Sequence, residues 1–230
     1  MIEFALNDRV GRILINRPDA SNAFTSEMTR QLLETLENAS GVADILAIEA
    51  AGPDFTVGRD RGEPKSGTPF ETFKLISDLN AAFTNFPGLT IAGARGRTFG
   101  FAVGFLMRCD LAIVGDDTRF ILDEVKHGIA PTFIMEEILQ HLPIKRALDL
   151  VVSGREWDAK EALEIGLVSR VVPSHELEAA MKQLVADLAR RDRRAILTSK
   201  QYIRKVAALP ADARSAYALT ETIKFATGSR

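Results

Sequence analysis

Cysteine is almost missing from this chain of 230 residues: Cys109 stands alone, so no disulfide can close within it. Histidine is scarce too, with three in all, and none has the H-x-E, H-E-x-x-H or paired-cysteine spacing of a zinc site. No metal is therefore expected. A charge of one sign is also lacking. Lys and Arg number 29 against 31 Asp and Glu, a net charge of -2 distributed along the chain, and no basic patch of the kind nucleic acids require is formed. The most apolar window, residues 86–107, is broken by Arg95, Arg97 and five glycines, which argues against a membrane span. The opening MIEFALND has no basic stretch followed by an apolar one, and with the lone cysteine this gives the expectation of a cytoplasmic protein. Nucleotide and hydrolase signatures are absent as well. GRTFGFAVG does not present G-x-G-x-x-G, no G-K-[ST] follows it, and no G-x-S-x-G occurs.

What remains is an ordinary globular composition, 46% apolar and 26% charged, with neither repeat nor linker. One α/β domain over residues 1–230 is the expectation. Residues 10–16 and 45–50 are short Ile-, Leu- and Val-rich runs bounded by Gly, Pro and Asp, and read as strands. Between them, residues 25–40 place Met28, Leu32, Leu36 and Ala39 at helical spacing, with Thr25 or Ser26 as the cap. Residues 70–86 form a second helix with Phe73, Ile76, Leu79 and Phe83 on one stripe, and residues 89–94 return to a strand. Residues 51–69 read as a long loop, a length that is usually functional. After Asp110 come a strand to Gly115, a strand-like run over 118–122, and helices over 132–141, 144–152 and from Asp158 to before Gly166. From Ser174 the pattern is nearly all helix, with Pro210 opening the last one.

Two glycine-loosened turns stand out, DFTVGRD (54–60) and GRTFGFAVGFLMRCD (96–110). Each can present a bare backbone N–H, and two such donors can hold a developing oxyanion without any charged side chain. Taken alone, Gly96, Gly100 and Gly104 fit close backbone packing equally well.

ILINRPDASNAF, DFTVGRD, GRTFGFAVGFLMRCDLAI, HGIAP and ALDLVVSGREWDAKEALEIGLVSRVV occur in the order found in the enoyl-CoA hydratase/isomerase (crotonase) superfamily, and over about residues 10–205 the chain resembles that family. The resemblance implies a crotonase-like spiral of repeated strand–strand–helix units (1–172) with a helical C-terminal region (173–230). It implies trimers or dimers of trimers, and an acyl-CoA thioester as substrate, so that coenzyme A is part of the substrate and no separate cofactor is expected. TIKFATGSR ends the chain where family members commonly continue for another helix, which reads as a shortened C-terminal region.

By position in the matching motifs, the oxyanion donors are the backbone N–H groups of Arg59 and Phe101. A helix beginning near Gly100 would aim its positive end at the same oxygen. Coenzyme A contacts match Ser21, Ala23, Gly58, Asp60, Arg61 and Gly100, while Arg17, Arg61 and Lys65 are cations near the phosphates with no one of them singled out. The hydratase pattern has two glutamates facing one water. Here one matching position is Gly104 and the other Glu124, which becomes the catalytic candidate, with Ile121, Leu122, Val125 and Ile129 as apolar surroundings that raise its pKa. Asp123 stands where the family often has proline and reads as a capping or solvent-facing residue, with a second carboxylate that perturbs Glu124 by like charge as the alternative; His127 reads as polar surface. A single carboxylate suits a 3-enoyl to 2-enoyl shift better than hydration. Hydration, other crotonase-type reactions and a non-catalytic acyl-CoA-binding relative stay open at this stage. Phe99, Phe105, Phe133 and Ile134 fit either an acyl pocket or the core.

Overall fold

Alternating apolar residues open the chain as an antiparallel hairpin, β1 (Ile2–Asn7) with β2 (Val10–Ile15), across a turn in which Asp8 has φ 51°. The computed structural model describes residues 1–64 and 67–228. Helix α1 (Ser26–Ala39) follows, with Thr25 as its cap: the threonine side chain accepts from the Met28 N–H, and Met28, Leu32, Leu36 and Ala39 are buried. The remaining strands are β3 (Ile45–Ala50), β4 (Leu89–Ala94), β5 (Arg97–Phe99), β6 (Leu111–Gly115), β7 (Arg119–Ile121), β8 (Glu156–Asp158) and β9 (Arg170–Val172).

Six of them form one sheet in the order β1-β2-β3-β4-β6-β9, parallel from β2 onward. Its inner strands are apolar on both faces, as a covered parallel sheet requires; Ile45, Leu46, Ala47 and Ile48 are all buried. β5, β7 and β8 form a second, smaller sheet.

The two sheets explain the winding. β4 is followed by short β5 and then α3 (Phe101–Arg108); β6 is followed by short β7 and then, after a turn, α4 (Thr132–His141). β3 obeys the same rule less visibly, since Thr56 bridges Thr98 of β5 and helix α2 (Pro69–Thr84) comes next. Strand, short strand, helix is thus the repeating unit. Residues 54–60, read above as loop, form no strand but take the short strand's place in that turn through two isolated bridges, Thr56 with Thr98 and Phe24 with Arg59.

Other expectations shift in detail. β1, β5 and β8 were not legible from periodicity, because three-residue strands and an exposed edge strand carry too little pattern. Phe73 leaves the α2 stripe and stands 51% exposed, whereas Ile76, Leu79 and Phe83 are buried. Pro210 precedes a 3-10 turn at Ala211–Ala213 rather than the last helix itself.

Contacts divide the chain into two units, Met1–Ala186 and Asp187–Arg230. Beyond α5 (Ile144–Ser153), α6 (Ala159–Glu164) and α7 (Leu177–Ala189), the second unit holds α8 (Arg193–Ala207) and α9 (Arg214–Thr227). Those two helices meet through stacked Tyr202 and Tyr217, 5.5 Å between ring centres, and through Arg194 over the Phe225 ring at 4.6 Å. In the first unit the core runs between the sheets and helices, and an aromatic file positions the site. Phe105 of α3 lies between Phe55 (5.5 Å) and Phe83 (4.7 Å), all three buried. Burying each such ring contributes about 1.5–3 kcal/mol, which locks α3 against the 54–60 segment.

Candidate active site

Asp54 anchors the first turn. Its buried carboxylate accepts from the Arg97 backbone N–H (3.0 Å), Nε (3.0 Å) and Nη2 (2.7 Å), and the Arg97 side-chain bonds hold its pKa below the ordinary carboxylate range. From there the chain is zipped to β5: the Phe55 amide donates to the Arg95 carbonyl, the Thr56 amide to Arg97, and the Phe99 amide back to Thr56. Gly58 then turns with φ 87°, and no side chain fits there, since a Cβ would stand 2.8 Å from the Phe99 carbonyl oxygen. The same position is 3.6 Å from the Phe101 nitrogen. The two glycine turns therefore do meet.

Phe24 fixes the direction of the first donor. Its amide donates to the Gly58 carbonyl and its carbonyl accepts from the Asp60 amide, both at 2.8 Å, so the intervening Arg59 N–H points away from Phe24. On the other side, the Gly100 amide donates to Ile121 (2.8 Å), Gly100 takes φ 53°, and Phe101 is the first residue of α3. A first-turn amide has no partner within its helix. Neither the Arg59 nor the Phe101 amide meets an acceptor among the described residues.

Glu124 opens a 3-10 turn, Glu124–His127, that follows β7 and closes on Gly128 at φ 72°. Its Oε1 faces Gly100, where a Cβ would lie only 2.7 Å away, and its Oε2 is buried with no hydrogen-bond partner among the described residues. Burial, and next to it the charge of Asp123, push the Glu124 carboxyl above the ordinary range, against its own backbone N–H, Arg61 and His127, which pull it down. The apolar cover differs from expectation: Leu122 is buried, but Val125 (39%) and Ile129 (53%) face outward. A short turn presents only one side inward, so the residues flanking Glu124 in sequence cannot all shield it.

Asp123 is not simply solvent-facing. It pairs with Arg61 at 2.9 Å and with His127 Nε2 at 3.0 Å, so the loop after the first turn is tied to the glutamate's own turn.

The other sequence-matched residues lie in the turn before α1 and in the segment after Gly58. Ser21 sits in the left-handed region (φ 49°), its hydroxyl accepting from Arg97 and its carbonyl from the Val57 amide; Ala23 is buried, with its carbonyl accepting from Arg17. Asp60 is held by Arg17 (2.7 Å) and by the Gly62 amide (2.9 Å), with Arg17 chiefly lowering its pKa. Of the expected cations, Arg17 and Arg61 are engaged in these ion pairs, and Lys65 lies outside the described residues.

Asn22 was missed by the sequence reading. Fully buried at φ 55°, it accepts from the Arg17 amide (2.8 Å) and donates to the carbonyls of Ala51 (2.8 Å) and Asp54 (2.9 Å), stapling three segments under the cradle. The signal was there in SNAF, since asparagine tolerates the left-handed region and bonds backbone, but nothing in the sequence named its partners.

Gly104 lies inside α3, and Phe105 and Ile134 belong to the core, while Phe99 and Phe133 are half-buried. A charged groove of about 600 Å³ lies at the β7–β8 edge around Trp157, but Arg119, Arg146 and Lys160 there already pair with Glu156, Glu161 and Glu164. No group of three or more metal-ligating side chains occurs among the described residues, and no helix there is long and apolar enough to cross a membrane.

Two peptide N–H groups without acceptors among the described residues, those of Arg59 and Phe101, and a desolvated carboxylate, that of Glu124, are thus set by the turns at Gly58 and Gly100. Comparison with known proteins places the chain in a family: the family model for enoyl-CoA hydratase/isomerase matches residues 5–224, and this chain belongs to that family. A probable enoyl-CoA hydratase of Mycobacterium leprae is 30% identical over 203 residues, 86% of this chain and 78% of the relative. The trans-2-decenoyl-[acyl-carrier-protein] isomerase of Streptococcus mutans is 27% identical over 202 residues, covering 82% and 76%. Among solved structures, a Thermobifida fusca protein in complex with acetoacetyl-CoA superposes with a TM-score of 0.89 at 24% identity, over 99% of this chain and 95% of that one. The crotonase-like spiral fold follows from that likeness.

Proposed function

We propose that this chain is an acyl-CoA-processing enzyme that stabilises a thioester enolate, and that its reaction moves a 3-enoyl double bond to the 2-position with Glu124 as the one proton carrier. The observation that carries the reading is the Glu124 carboxylate, buried, unpartnered at Oε2 and lying against Gly100, on a helix whose next turn offers Gly104 and no second carboxylate.

The chemistry balances with that one group. The carboxylate takes a proton from C2 of the 3-enoyl thioester, and the C–H electron pair delocalises over C2–C4 and onto the thioester oxygen. The Arg59 and Phe101 amides bond the resulting oxyanion, each such donor stabilising the transition state by about 3 kcal/mol. Protonated Glu124 returns the proton to C4, leaving the double bond between C2 and C3. A carboxyl lifted by burial suits both halves: its base form removes the proton, and its acid form is strong enough to give it back.

The names of the relatives divide between hydratase and isomerase, and the Thermobifida fusca protein holds acetoacetyl-CoA, whose acyl part resembles an enolate. Hydration is the alternative those hydratase names favour, and the missing acid at Gly104 weighs against it. A non-catalytic acyl-CoA binder is an alternative that the same gap favours. Coenzyme A enters as part of the substrate, with Ser21, Ala23, Gly58, Asp60, Arg61 and Gly100 proposed along its path, and a homotrimer or dimer of trimers in the cytoplasm is the proposed setting. Mass-spectrometric turnover of a panel of 2-enoyl, 3-enoyl and aromatic acyl-CoA esters tests the reading: conversion of 3-enoyl to 2-enoyl esters supports it, and water addition to 2-enoyl esters without isomerisation overturns it.

A further inference from the structure

Gly100 caps α3 and Gly104 lies one turn into it. A Cβ at Gly100 would meet the Glu124 carboxylate. At Gly104 a Cβ would lie 3.2 Å from Ile134 Cγ1 and 3.4 Å from Arg108 Nη1, so Ile134 would have to give by a few tenths of an ångström even for a methyl group. Ile134 is 7% exposed and Arg108 5%.

Neither neighbour can readily withdraw. Arg108 donates from Nη1 to the Gly104 carbonyl (3.0 Å) and from Nη2 to the Phe133 carbonyl (2.9 Å), and its Nε faces Glu137 Oε2 at 3.4 Å. Glu137 is in turn held by His141 at 3.2 Å. Ile134 is in the first turn of α4 and part of the main core cluster. Moving either would strip partners from a buried charge or open a void in a packed core.

We infer that Ile134 and Arg108 are specificity-determining residues: they fill the volume beside Gly104 from which a second acid–base group and an activated water would have to reach the substrate. The inference rests on the isomerase reading and deepens it. Hydration adds a hydroxyl to C3 and a proton to C2 of a 2-enoyl thioester and needs a place for one water; isomerisation moves one proton between carbons of the same substrate and needs none. Glycine at 104 thus does more than omit a carboxylate, because the neighbouring side chains have closed the space.

Restoring a glutamate alone therefore does not restore hydration. Gly104→Glu is expected to hydrate a short 2-enoyl-CoA at less than threefold the parent rate, and Gly104→Glu with Ile134→Ala at tenfold or more above the single variant. Equal rates in single and double variants, or no gain in a double variant that still binds acetoacetyl-CoA, overturn the inference. Because a buried glutamate can unfold the helix, Gly104→Cys supplies a second measurement through labelling by a small thiosulfonate, with buried Cys109 in the parent as background. Labelling at residue 104 is expected to be at least tenfold faster once Ile134→Ala is added; equally fast labelling without it overturns the inference. Thiol labelling needs no turnover, so failure of the parent to isomerise any 3-enoyl ester would count against the proposed reaction and leave the filled volume separately measured.

Discussion

Glu124 lies against the α-carbon of Gly100, so close that a methyl group there would stand 2.7 Å from Oε1. Phe101, the next residue, begins α3 and carries one of the two free amides. The proposed proton carrier and the proposed anion donor are therefore both set beside a single glycine, and whatever moves that glycine moves both.

Gly100→Ala tests this directly. The substitution meets both the positive φ of 53° and the carboxylate, so the glutamate or the turn must shift. Isomerase kcat is expected to fall about 100-fold, the scale of a 1 Å misplacement, with a stability loss of about 1–2 kcal/mol. Parent-like turnover would separate Glu124 from the cradle.

Glu124→Gln is expected to lower the isomerase rate by about 100-fold or more while acetoacetyl-CoA binding persists. Stability moves the other way. The folded-state pKa of Glu124 is raised above its unfolded value, chiefly by burial, so the folded protein binds more protons between the two values and loses stability as pH rises through that window. At neutral pH the uncharged glutamine removes that loss. Thermal melts at pH 7 should show the variant at least as stable as the parent, with the difference shrinking as pH falls below the ordinary carboxylate range.

The same shift fixes the pH dependence of turnover. The base form is needed, so kcat/KM should rise with pH through a value above that of an ordinary glutamate. Asp123→Asn removes a charge that raises the Glu124 pKa and leaves Arg61 and His127, which lower it, uncompensated. The rising limb should move to lower pH, and a limb that stays in place would mean that Asp123 does not act on the glutamate.

Much of the fold could be read from the sequence because its long elements bury one face. The stripe of α1 and the apolar runs of β3, β4 and β6 carry their own periodicity. β5 and β8, three residues each, owe their existence to pairing with β7, and no local pattern marks them. The candidate site divides in the same way. Gly58, Gly100 and Glu124 stood out through turn chemistry and family resemblance, whereas the Asn22 staple to Ala51 and Asp54, the Arg61–Asp123 pair and the packing of Ile134 against Gly104 join residues 29 and 32, 62 and 30 positions apart. Only the folded chain brings such partners together.

Asn22→Ala probes the staple. It would leave the carbonyls of Ala51 and Asp54 and the Arg17 amide short of a partner in a buried place. A loss of about 1–3 kcal/mol is expected in chemical denaturation, together with weaker acetoacetyl-CoA binding as the 54–60 segment loosens. A variant as stable as the parent would remove Asn22 from the cradle's support.

The proton's own path tests the central claim most directly. A 3-enoyl-CoA carrying deuterium at C2 is converted by the enzyme, and the 2-enoyl product is examined by mass spectrometry and NMR for deuterium at C4. If Glu124 alone carries the proton across one face, part of the label arrives at C4 and no oxygen from water enters the product. Product with no label at C4, or 3-hydroxyacyl-CoA bearing solvent oxygen as the main product, would contradict a single-carboxylate isomerase.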